Sequence, residues 1–431
     1  MTAHKFFGLT LALSVLASCG QRDEILPGER FDLRETPAFV NQSLPVNIPA
    51  AQANLDWTHR NGDADHAIAH PALGSALSEV YAVSIGEGDS RRARITADPV
   101  VAAGVIYTLD ARATVTATSQ SGTALWARTL SAGSDGLSDA SGGGITVSGG
   151  QVYVSTGFGT VTALDAATGA VRWVQDLDAP VAAPATVRGD LVYVVARNSV
   201  ALALDAATGR IRWQITGNPS VANVAGGASA AVTNEIAVLP FASGEVVGTF
   251  PQGGLRRWSV AVTGSRLGQA SATITDIASD PVIVGNRVYV GNFGGRVVAL
   301  DLTSGDRVWT AAEGAQSPVW PAGNALFLVN DVNQLVRLDA ANGQPVWRIG
   351  LPDLERTRDA RRKEVVGHYG PILAGGRLIV ASTDGFIRQY DPTSGALVGS
   401  IAIAGGAASL PVVAGETLYV VSKDGQLHAF R

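Results

Sequence analysis

Short apolar runs separated by turn residues fill the chain from about residue 54 to its end. Runs rich in β-branched and aromatic residues follow glycine turns, for example at 150–154 and 189–194. Segments in which polar and apolar residues alternate come next, as at 160–164. Alternation with a period of two between turns that contain Gly, Asn or Asp is typical of short strands joined by hairpins. The pattern therefore predicts an all-β chain.

A frame of Asp, three residues, Gly, three residues and Trp recurs through this region. We assign Trp57, Trp126 and Trp258 to degenerate copies, and Gly399 takes the Trp position of the last copy. We expect the Asp to accept hydrogen bonds from its own turn, the Gly to adopt a positive φ, and the Trp to fill the gap between neighbouring sheets. The complete copies are Asp165, Gly169 and Trp173; Asp205, Gly209 and Trp213; Asp301, Gly305 and Trp309; and Asp339, Gly343 and Trp347.

This repetition identifies the fold. Eight Trp positions, each with about four short strands, predict an eight-bladed β-propeller of four-stranded antiparallel blades. The last repeat ends at 426–431 without a fourth strand, and residues 54–57 resemble a fourth strand without the preceding three. We therefore predict that this N-terminal strand pairs with the C-terminal blade, which closes the ring and removes an exposed sheet edge.

The N-terminus has the features of an export signal. A basic start precedes an apolar stretch at 6–16 that is too short to cross a bilayer, and Leu-Ala-Ser-Cys follows at 16–19. The latter resembles the lipobox of bacterial lipoproteins, in which the cysteine, here Cys19, becomes the lipidated N-terminal residue. Gly20 after the cysteine resembles the outer-membrane sorting class.

These features divide the chain into three parts. Residues 1–18 are predicted to be a lipoprotein signal peptide. Residues 19–53 contain four prolines among polar residues and no sustained periodicity, which indicates an extended tether. Residues 54–431 form the predicted propeller. Because acyl chains anchor a protein without a transmembrane helix, we expect it on the periplasmic face of the outer membrane.

Composition excludes several classes of protein. The 431 residues are 46% hydrophobic, enough to bury a large core. The formal net charge is -5 and is spread over the chain, so the sequence lacks the basic footprint of a nucleic-acid-binding protein. A single Cys excludes an internal disulfide, a CxxC redox pair and a CxxCH haem site.

The Ala-Leu-Asp-x3-Gly-x3-Trp frame resembles the quinoprotein (PQQ-like) repeat of periplasmic alcohol dehydrogenases and of the BamB family of outer-membrane assembly lipoproteins. A lipobox, a tether and a single propeller resemble the BamB family over essentially the whole mature chain. The resemblance implies a non-enzymatic scaffold without a cofactor, which docks on the POTRA domains of BamA and assists folding and insertion of β-barrel proteins. A quinoprotein dehydrogenase would need a vicinal disulfide, which one Cys excludes. Direct binding of unfolded β-barrel substrates at a blade edge is a second hypothesis.

The resemblance also implies where the partner binds. Family members contact BamA through the loops that follow the Trp213 and Trp258 positions. The matching partner-binding residues are Val221 and Val224 in the first loop and Ile274 and Asp276 in the second. The first loop lacks the family's arginine, and the second has Ala278 where the family has another acid. The alternative function is that of a periplasmic propeller sensor or ligand-binding lipoprotein without a BAM role.

Two further clusters have alternative interpretations. Asp63, Asp65, His66 and His70 combine carboxylates and imidazoles that could bind zinc, but a solvated loop between blades is the preferred interpretation, and no metal site is predicted. The charged stretch 353–364 is interpreted as a solvated excursion, with a docking site for a second partner or for lipid headgroups as the alternative.

Overall fold

The computed structural model of the chain describes residues 39–130, 142–220, 227–264, 266, 274–356 and 363–431. Residues Asn41–Arg431 form one compact unit. Their strands assemble into eight four-stranded antiparallel sheets, which confirms the predicted eight-bladed propeller. Within the described ranges there is no helix that is long and apolar enough to span a membrane.

The strands of each blade follow one another in the chain. The first four blades are β2 (Val100–Ala102), β3 (Val105–Leu109), β4 (Thr114–Ser119) and β5 (Ala124–Thr129); β6 (Gly143–Ser148), β7 (Gln151–Thr156), β8 (Thr160–Asp165) and β9 (Val171–Asp176); β10 (Thr186–Arg188), β11 (Leu191–Val195), β12 (Val200–Asp205) and β13 (Ile211–Thr216); and β14 (Ala231–Val232), β15 (Ala237–Pro240), β16 (Glu245–Thr249) and β17 (Arg256–Ala261).

The other four blades include the one that closes the ring. They are β18 (Val282–Val284), β19 (Arg287–Gly291), β20 (Val297–Asp301) and β21 (Arg307–Ala311); β22 (Trp320–Ala322), β23 (Ala325–Val329), β24 (Gln334–Asp339) and β25 (Pro345–Gly350); β28 (His368–Ala374), β29 (Arg377–Ser382), β30 (Phe386–Tyr390) and β31 (Leu397–Ala402); and β32 (Val412–Ala414), β33 (Thr417–Val421) and β34 (Gln426–Phe430) with β1 (Glu79–Ser84). A separate hairpin of β26 (Leu354–Arg356) and β27 (Lys363–Val365) forms within the charged stretch 353–364.

Antiparallel order gives the propeller two faces. Turns between the first and second strands, and between the third and fourth, lie at one end of every blade, which we call the lower face. Turns between the second and third strands, and the connections between blades, lie at the other end, the upper face. Middle strands such as β7 and β8 are almost fully buried, whereas the outermost strand β9 is largely exposed. The core therefore lies between the blades, where neighbouring sheets pack.

The Trp of each frame lies on the outermost strand and contacts the next blade. The indole Nε1 of Trp173 donates a hydrogen bond to the carbonyl of Ala206 at 2.9 Å, and Gly209 lies against the ring. Asp205 accepts hydrogen bonds from the amide and hydroxyl of Thr208, which shapes the turn that carries Gly209. The same Trp contact, with a glycine of positive φ and a carbonyl of the next blade, recurs at Trp126, Trp213, Trp258, Trp309 and Trp347.

The ring is closed by an N-terminal strand, as predicted, but the strand is not 54–57. It is β1, which pairs with β34 in the last blade. Ser78 and Arg431 exchange two backbone hydrogen bonds of 2.9 and 3.0 Å where the two strands meet. Tyr81 lies opposite Ala429, the register that Trp173 has opposite Ala163, and its ring packs on Gly122 of the first blade. Tyr81 therefore occupies the eighth Trp position.

The assignment of Trp57 to the repeat is wrong. Its backbone pairs with Val101 on the innermost strand of the first blade, and its ring stacks on Trp320 at 6.2 Å between centroids. Trp57 is 2% exposed. Gly399 can replace the Trp of the seventh blade because the third and fourth strands of the eighth blade, β34 and β1, are not joined by a turn.

Residues 41–53, which we call the strap, belong to the predicted tether and are extended on the lower face. The amide of Gln42 donates to the carbonyl of Val346 at 2.9 Å. The guanidinium of buried Arg337 donates to the carbonyls of Leu44 and Pro45 at 2.5 and 2.9 Å. The strap is therefore attached to the sixth blade by backbone and side-chain hydrogen bonds.

Candidate functional site

Residues 54–72, which we call the plug, lie in the centre of the ring. The backbone and side chains of the plug form hydrogen bonds with the innermost strands of the first five blades. The plug contacts the sixth blade through the stacking of Trp57 on Trp320. His70 accepts a hydrogen bond from Gly376 in the seventh blade, and Asn54 bonds to Val413 and Gly415 in the eighth. The pairs in the first five blades are Trp57 with Val101, Thr58 with Val147, His59 with Val187, Ala64 with Val232, and Asp65 with Ile283.

Arg60 lies in the middle of the plug and forms ion pairs with Asp98, whose side chain is 9% exposed, and with fully buried Asp280. Its Nε is 2.9 Å from Oδ2 of Asp98, and its Nη1 is 3.4 Å from Oδ2 of Asp280. The same guanidinium donates to the carbonyls of Thr96 and Gly227, both at 3.3 Å. Burial opposes the positive charge, but the two carboxylates outweigh it and raise the pKa of Arg60. Arg60 therefore stays charged and links the entrance to the first blade with the entrances to the fourth and fifth.

The histidines and acids that suggested a zinc alternative lie inside this plug rather than in a solvated loop. His66 is fully buried, with Nδ1 2.8 Å from the carbonyl of Pro281, and His70 uses both ring nitrogens for backbone hydrogen bonds. No group of three metal-ligating side chains occurs among the described residues. Burial, followed by the hydrogen bond and charge of Asp63, raises the pKa of Asp65 to about 7. Burial lowers the pKa of His66.

A cavity of about 760 Å³ opens on the upper face above Arg60. Because the plug closes the lower end, the central channel is a pocket rather than a pore. Polar side chains of several blades line it, among them Thr96, His368 and Lys423, together with Tyr369. Burial and then the charge of Asp89 raise the pKa of Tyr369 to about 12.

The two loops implied as the partner site meet beside this cavity. Both the backbone amide and the hydroxyl of Ser229, after the first loop, donate to Oδ1 of Asp280, at the end of the second. Gly227 and Ala278 line the central cavity from the two loops. A smaller cavity next to it is lined by Ala228 and Asp276, together with residues of the third and fourth blades. The tertiary structure thus brings the described ends of the two loops together.

The four predicted contact residues differ in position. Val221 and Val224 lie outside the described residues, as does Cys19. Ile274 is half-buried, whereas Asp276 is only 4% exposed and its carbonyl accepts a hydrogen bond from the amide of Phe293 at 2.9 Å. Asp276 is therefore part of the framework of the second loop. Its neighbour Thr275 is exposed on the same segment.

Buried acids that sequence analysis did not identify anchor both loops. Glu245 accepts hydrogen bonds from the amide of Asn218 at 2.9 Å and from Ser259 at 2.6 Å, which fixes the start of the first loop. Arg266, in the second loop, is 2.9 Å from both Asp331 of the sixth blade and Glu313 in the connection between the fifth and sixth blades. Asp331 and Glu313 are distant from Arg266 in sequence, and Glu245 lies outside the frame. The sequence contained one indication of such a residue. The interval from Trp57 to Trp126 is longer than the other intervals between Trp positions, and it contains Arg60.

Comparison with known proteins agrees with this architecture. The solved structure of BamB from Moraxella catarrhalis superposes with a TM-score of 0.68 at 20% identity, over 83% of this chain and all of that one. A quinohemoprotein alcohol dehydrogenase from Comamonas testosteroni has a TM-score of 0.64 at 13% identity, over 88% of this chain and 81% of the other. At these identities the likeness concerns the fold alone.

Sequence relatives identify the family. BamB of Shewanella oneidensis is 26% identical over 65% of this chain, although the match spans only 59% of that relative's length. BamB of Shigella dysenteriae is 30% identical over 77% of this chain and 83% of its own. The family model described as outer membrane protein assembly factor BamB matches residues 111–349 and 353–431, more than half of the chain. The chain therefore belongs to the BamB family.

Proposed function

We propose that this chain is a non-enzymatic scaffold lipoprotein of the outer-membrane β-barrel assembly (BAM) machinery. Lipidation at Cys19 would hold it on the periplasmic face of the outer membrane. It docks on the POTRA domains of BamA through the two upper-face loops and assists folding and insertion of β-barrel proteins. Unfolded β-barrel substrates are a second candidate ligand, which an exposed outermost strand such as β9 can receive by strand addition.

One observation carries this proposal, namely the convergence of the two loops. They are separated by a complete blade in the chain, yet Ser229 and Asp280 join their ends. Glu245 and Arg266 attach them to the propeller framework. These contacts hold the described ends of the loops on the blades, which suits a scaffold because less conformational entropy is lost there when a partner binds. Membership of the BamB family supports the same function.

A second candidate is a sensor or ligand-binding lipoprotein without a BAM role. The central cavity of about 760 Å³ favours it, since closed-ended polar pockets of this size can hold a small molecule. The two functions differ in a simple way, because only the scaffold requires a barrel protein with POTRA domains as partner.

The test is a pull-down of the native lipidated protein from detergent-solubilised outer membranes, with copurifying chains identified by mass. Recovery of BamA is the expected result. If the protein remains in the outer membrane but BamA is absent from the eluate, the scaffold function is wrong and the ligand-binding function is favoured.

A pair of substitutions tests the position of the docking surface. Asn218 and Thr275 are exposed on the two loops, so Asn218→Arg with Thr275→Arg adds bulk and charge without disturbing the core. The matched control is Ala207→Arg with Ala341→Arg, which changes two exposed turn residues on the lower face. We expect the upper-face pair to reduce BamA recovery and the control to retain it. Equal recovery with both variants would contradict this docking surface.

A further inference from the structure

One side chain of the plug, that of Arg60, contacts residues next to both loops of the proposed docking surface. Arg60 is 3.3 Å from the carbonyl of Gly227, which follows the first loop, and 3.4 Å from Asp280, which ends the second. On its other side it pairs with Asp98, whose Oδ1 accepts a hydrogen bond from the amide of Leu410 at 2.7 Å. One guanidinium therefore connects both loops to the opposite side of the ring.

The carboxylate of Asp280 has a divided role. Its Oδ2 faces Arg60, and its Oδ1 accepts both hydrogen bonds from Ser229. The side chain is completely buried. A buried carboxylate without a cation is costly, so the arrangement that joins the two loops depends on the positive charge that the plug supplies.

The geometry of Arg60 is suited to positioning. A guanidinium presents several donors in a fixed plane, so it can hold two carboxylates and two carbonyls in defined directions at once. Its side chain is 11% exposed and lies beneath the cavity mouth. The loops carry the proposed partner contacts, whereas Arg60 lies below them. Its effect on a partner would be indirect.

We infer that Arg60 is a positioning residue for the docking surface, through which the N-terminal plug sets the relative placement of Gly227 and Ser229, after the first upper-face loop, and Asp280, at the end of the second. The inference rests on the proposed function. The plug, which joins the membrane tether to the propeller, would then have a role in partner binding as well as in folding. Without Arg60, Asp280 loses its cation, and the Ser229 and Gly227 backbone loses its fixed position relative to the second loop.

The test compares Arg60→Met with Arg60→Lys in the full lipidated chain. Affinity is measured by titration against full-length BamA in detergent, and stability by thermal unfolding. We expect Arg60→Met to weaken BamA binding by about tenfold, within the usual range of coupling between sites, and Arg60→Lys to recover part of the loss because it restores the charge. Wild-type affinity in the Met variant would overturn the inference.

Arg337→Met is the matched control for a loss of stability alone. Arg337 is also a buried arginine that holds the N-terminal segment, but it contacts the strap on the lower face. We expect a lower unfolding temperature with unchanged affinity for BamA. If Arg337→Met weakens binding as much as Arg60→Met, Arg60 has no special positioning role.

Two further measurements cover the cases in which Arg60→Met does not fold or the wild-type protein does not bind BamA. If Arg60→Met does not fold, Ser229→Ala removes the hydroxyl bond to Asp280 and leaves all charges in place, and we expect it to weaken binding as well. If wild-type protein does not bind BamA, the proposed function fails, and amide hydrogen exchange still tests the coupling. Faster exchange at Ser229 in Arg60→Met, with unchanged exchange in β9, supports the coupling, and unchanged exchange at Ser229 contradicts it.

Discussion

The indole ring of Trp173 lies against Gly209 of the following blade, so closely that a β-carbon on Gly209 would come within 2.6 Å of the ring. Gly209 also has a φ of +74°. The glycine of the repeat is therefore required for two reasons, its left-handed backbone and the surface that it leaves open to the tryptophan. Because the pair joins consecutive blades, it converts a sequence repeat into contact between sheets.

Substitution of this glycine should be more harmful than substitution of a turn glycine that has free space. For Gly209→Ala we expect a loss of about 2–4 kcal/mol in the free energy of unfolding, from left-handed strain together with overpacking. Gly189→Ala is the control, because Gly189 has a φ of +62° and no atom within 4 Å of an added β-carbon. It should lose about 1 kcal/mol, from strain alone. Urea unfolding of both variants measures the difference, and equal losses would contradict the packing role of the glycine.

Loss of the strap anchor should destabilise the fold. Arg337→Met removes the donors to the carbonyls of Leu44 and Pro45, and we expect a loss of about 2 kcal/mol, since hydrogen bonds from charged groups contribute more than neutral ones. Arg212→Met is the comparison, because the ion pair of Arg212 with Asp205 is exposed and should contribute less than about 1 kcal/mol. Thermal unfolding of both variants is the measurement. A similar shift in both would mean that the strap adds little.

The plug should make stability depend on pH through Asp65. Its pKa is about 7 in the folded protein and 3.8 ordinarily, so between these values the folded state retains a proton that the unfolded state has released. This contribution to stability is present at low pH and is lost as the pH rises toward 7. Asp65→Asn should therefore gain stability relative to the wild type as the pH increases from 4 to 7. Urea unfolding across this range checks it, and parallel curves would contradict the raised pKa.

His59 should have the opposite effect. Burial, with a smaller contribution from His66, lowers the pKa of His59 from 6.5 to about 3, so only the unfolded state takes up a proton between these values. Its contribution is present above pH 6.5 and is lost as the pH falls toward 3. His59→Gln should gain stability relative to the wild type on acidification. The two difference curves, for His59→Gln and Asp65→Asn, should slope in opposite directions, and slopes of the same sign would show that one assignment is wrong.

The repeat frame predicted most of the Trp positions correctly. Six of the tryptophans occupy the predicted position, because each packs on the same kind of turn in the next blade. They are Trp126, Trp173, Trp213, Trp258, Trp309 and Trp347. The eighth position has a tyrosine, Tyr81, without the usual turn before it, so the frame could not identify it. Trp57 was mistaken for it because its short flanking sequence resembles an outermost strand.

The candidate site was predictable only in part. The family resemblance indicated the two loops, and of the two predicted contact residues that the structure describes, only Asp276 lines a cavity, the smaller one. Arg60 and Arg266 were missed because their acidic partners are far away in sequence, and Glu245 was missed because it lies outside the Asp-Gly-Trp frame. No local sequence pattern indicates that an arginine outside the repeat forms a buried ion pair. Asp98 and Asp280 lie on either side of Arg60 only in the folded ring.

The sequence by itself determined the strands, the number of blades and the position of the Trp between neighbouring blades, because these depend on contacts that recur at a fixed spacing. The tertiary structure alone decided which segment closes the ring and that residues 54–72 fill its centre. It also decided that Arg60 of the plug contacts Gly227 and Asp280, at the ends of the two upper-face loops. These are single, non-repeating contacts between distant parts of the chain, which exist only once all eight blades surround a common axis.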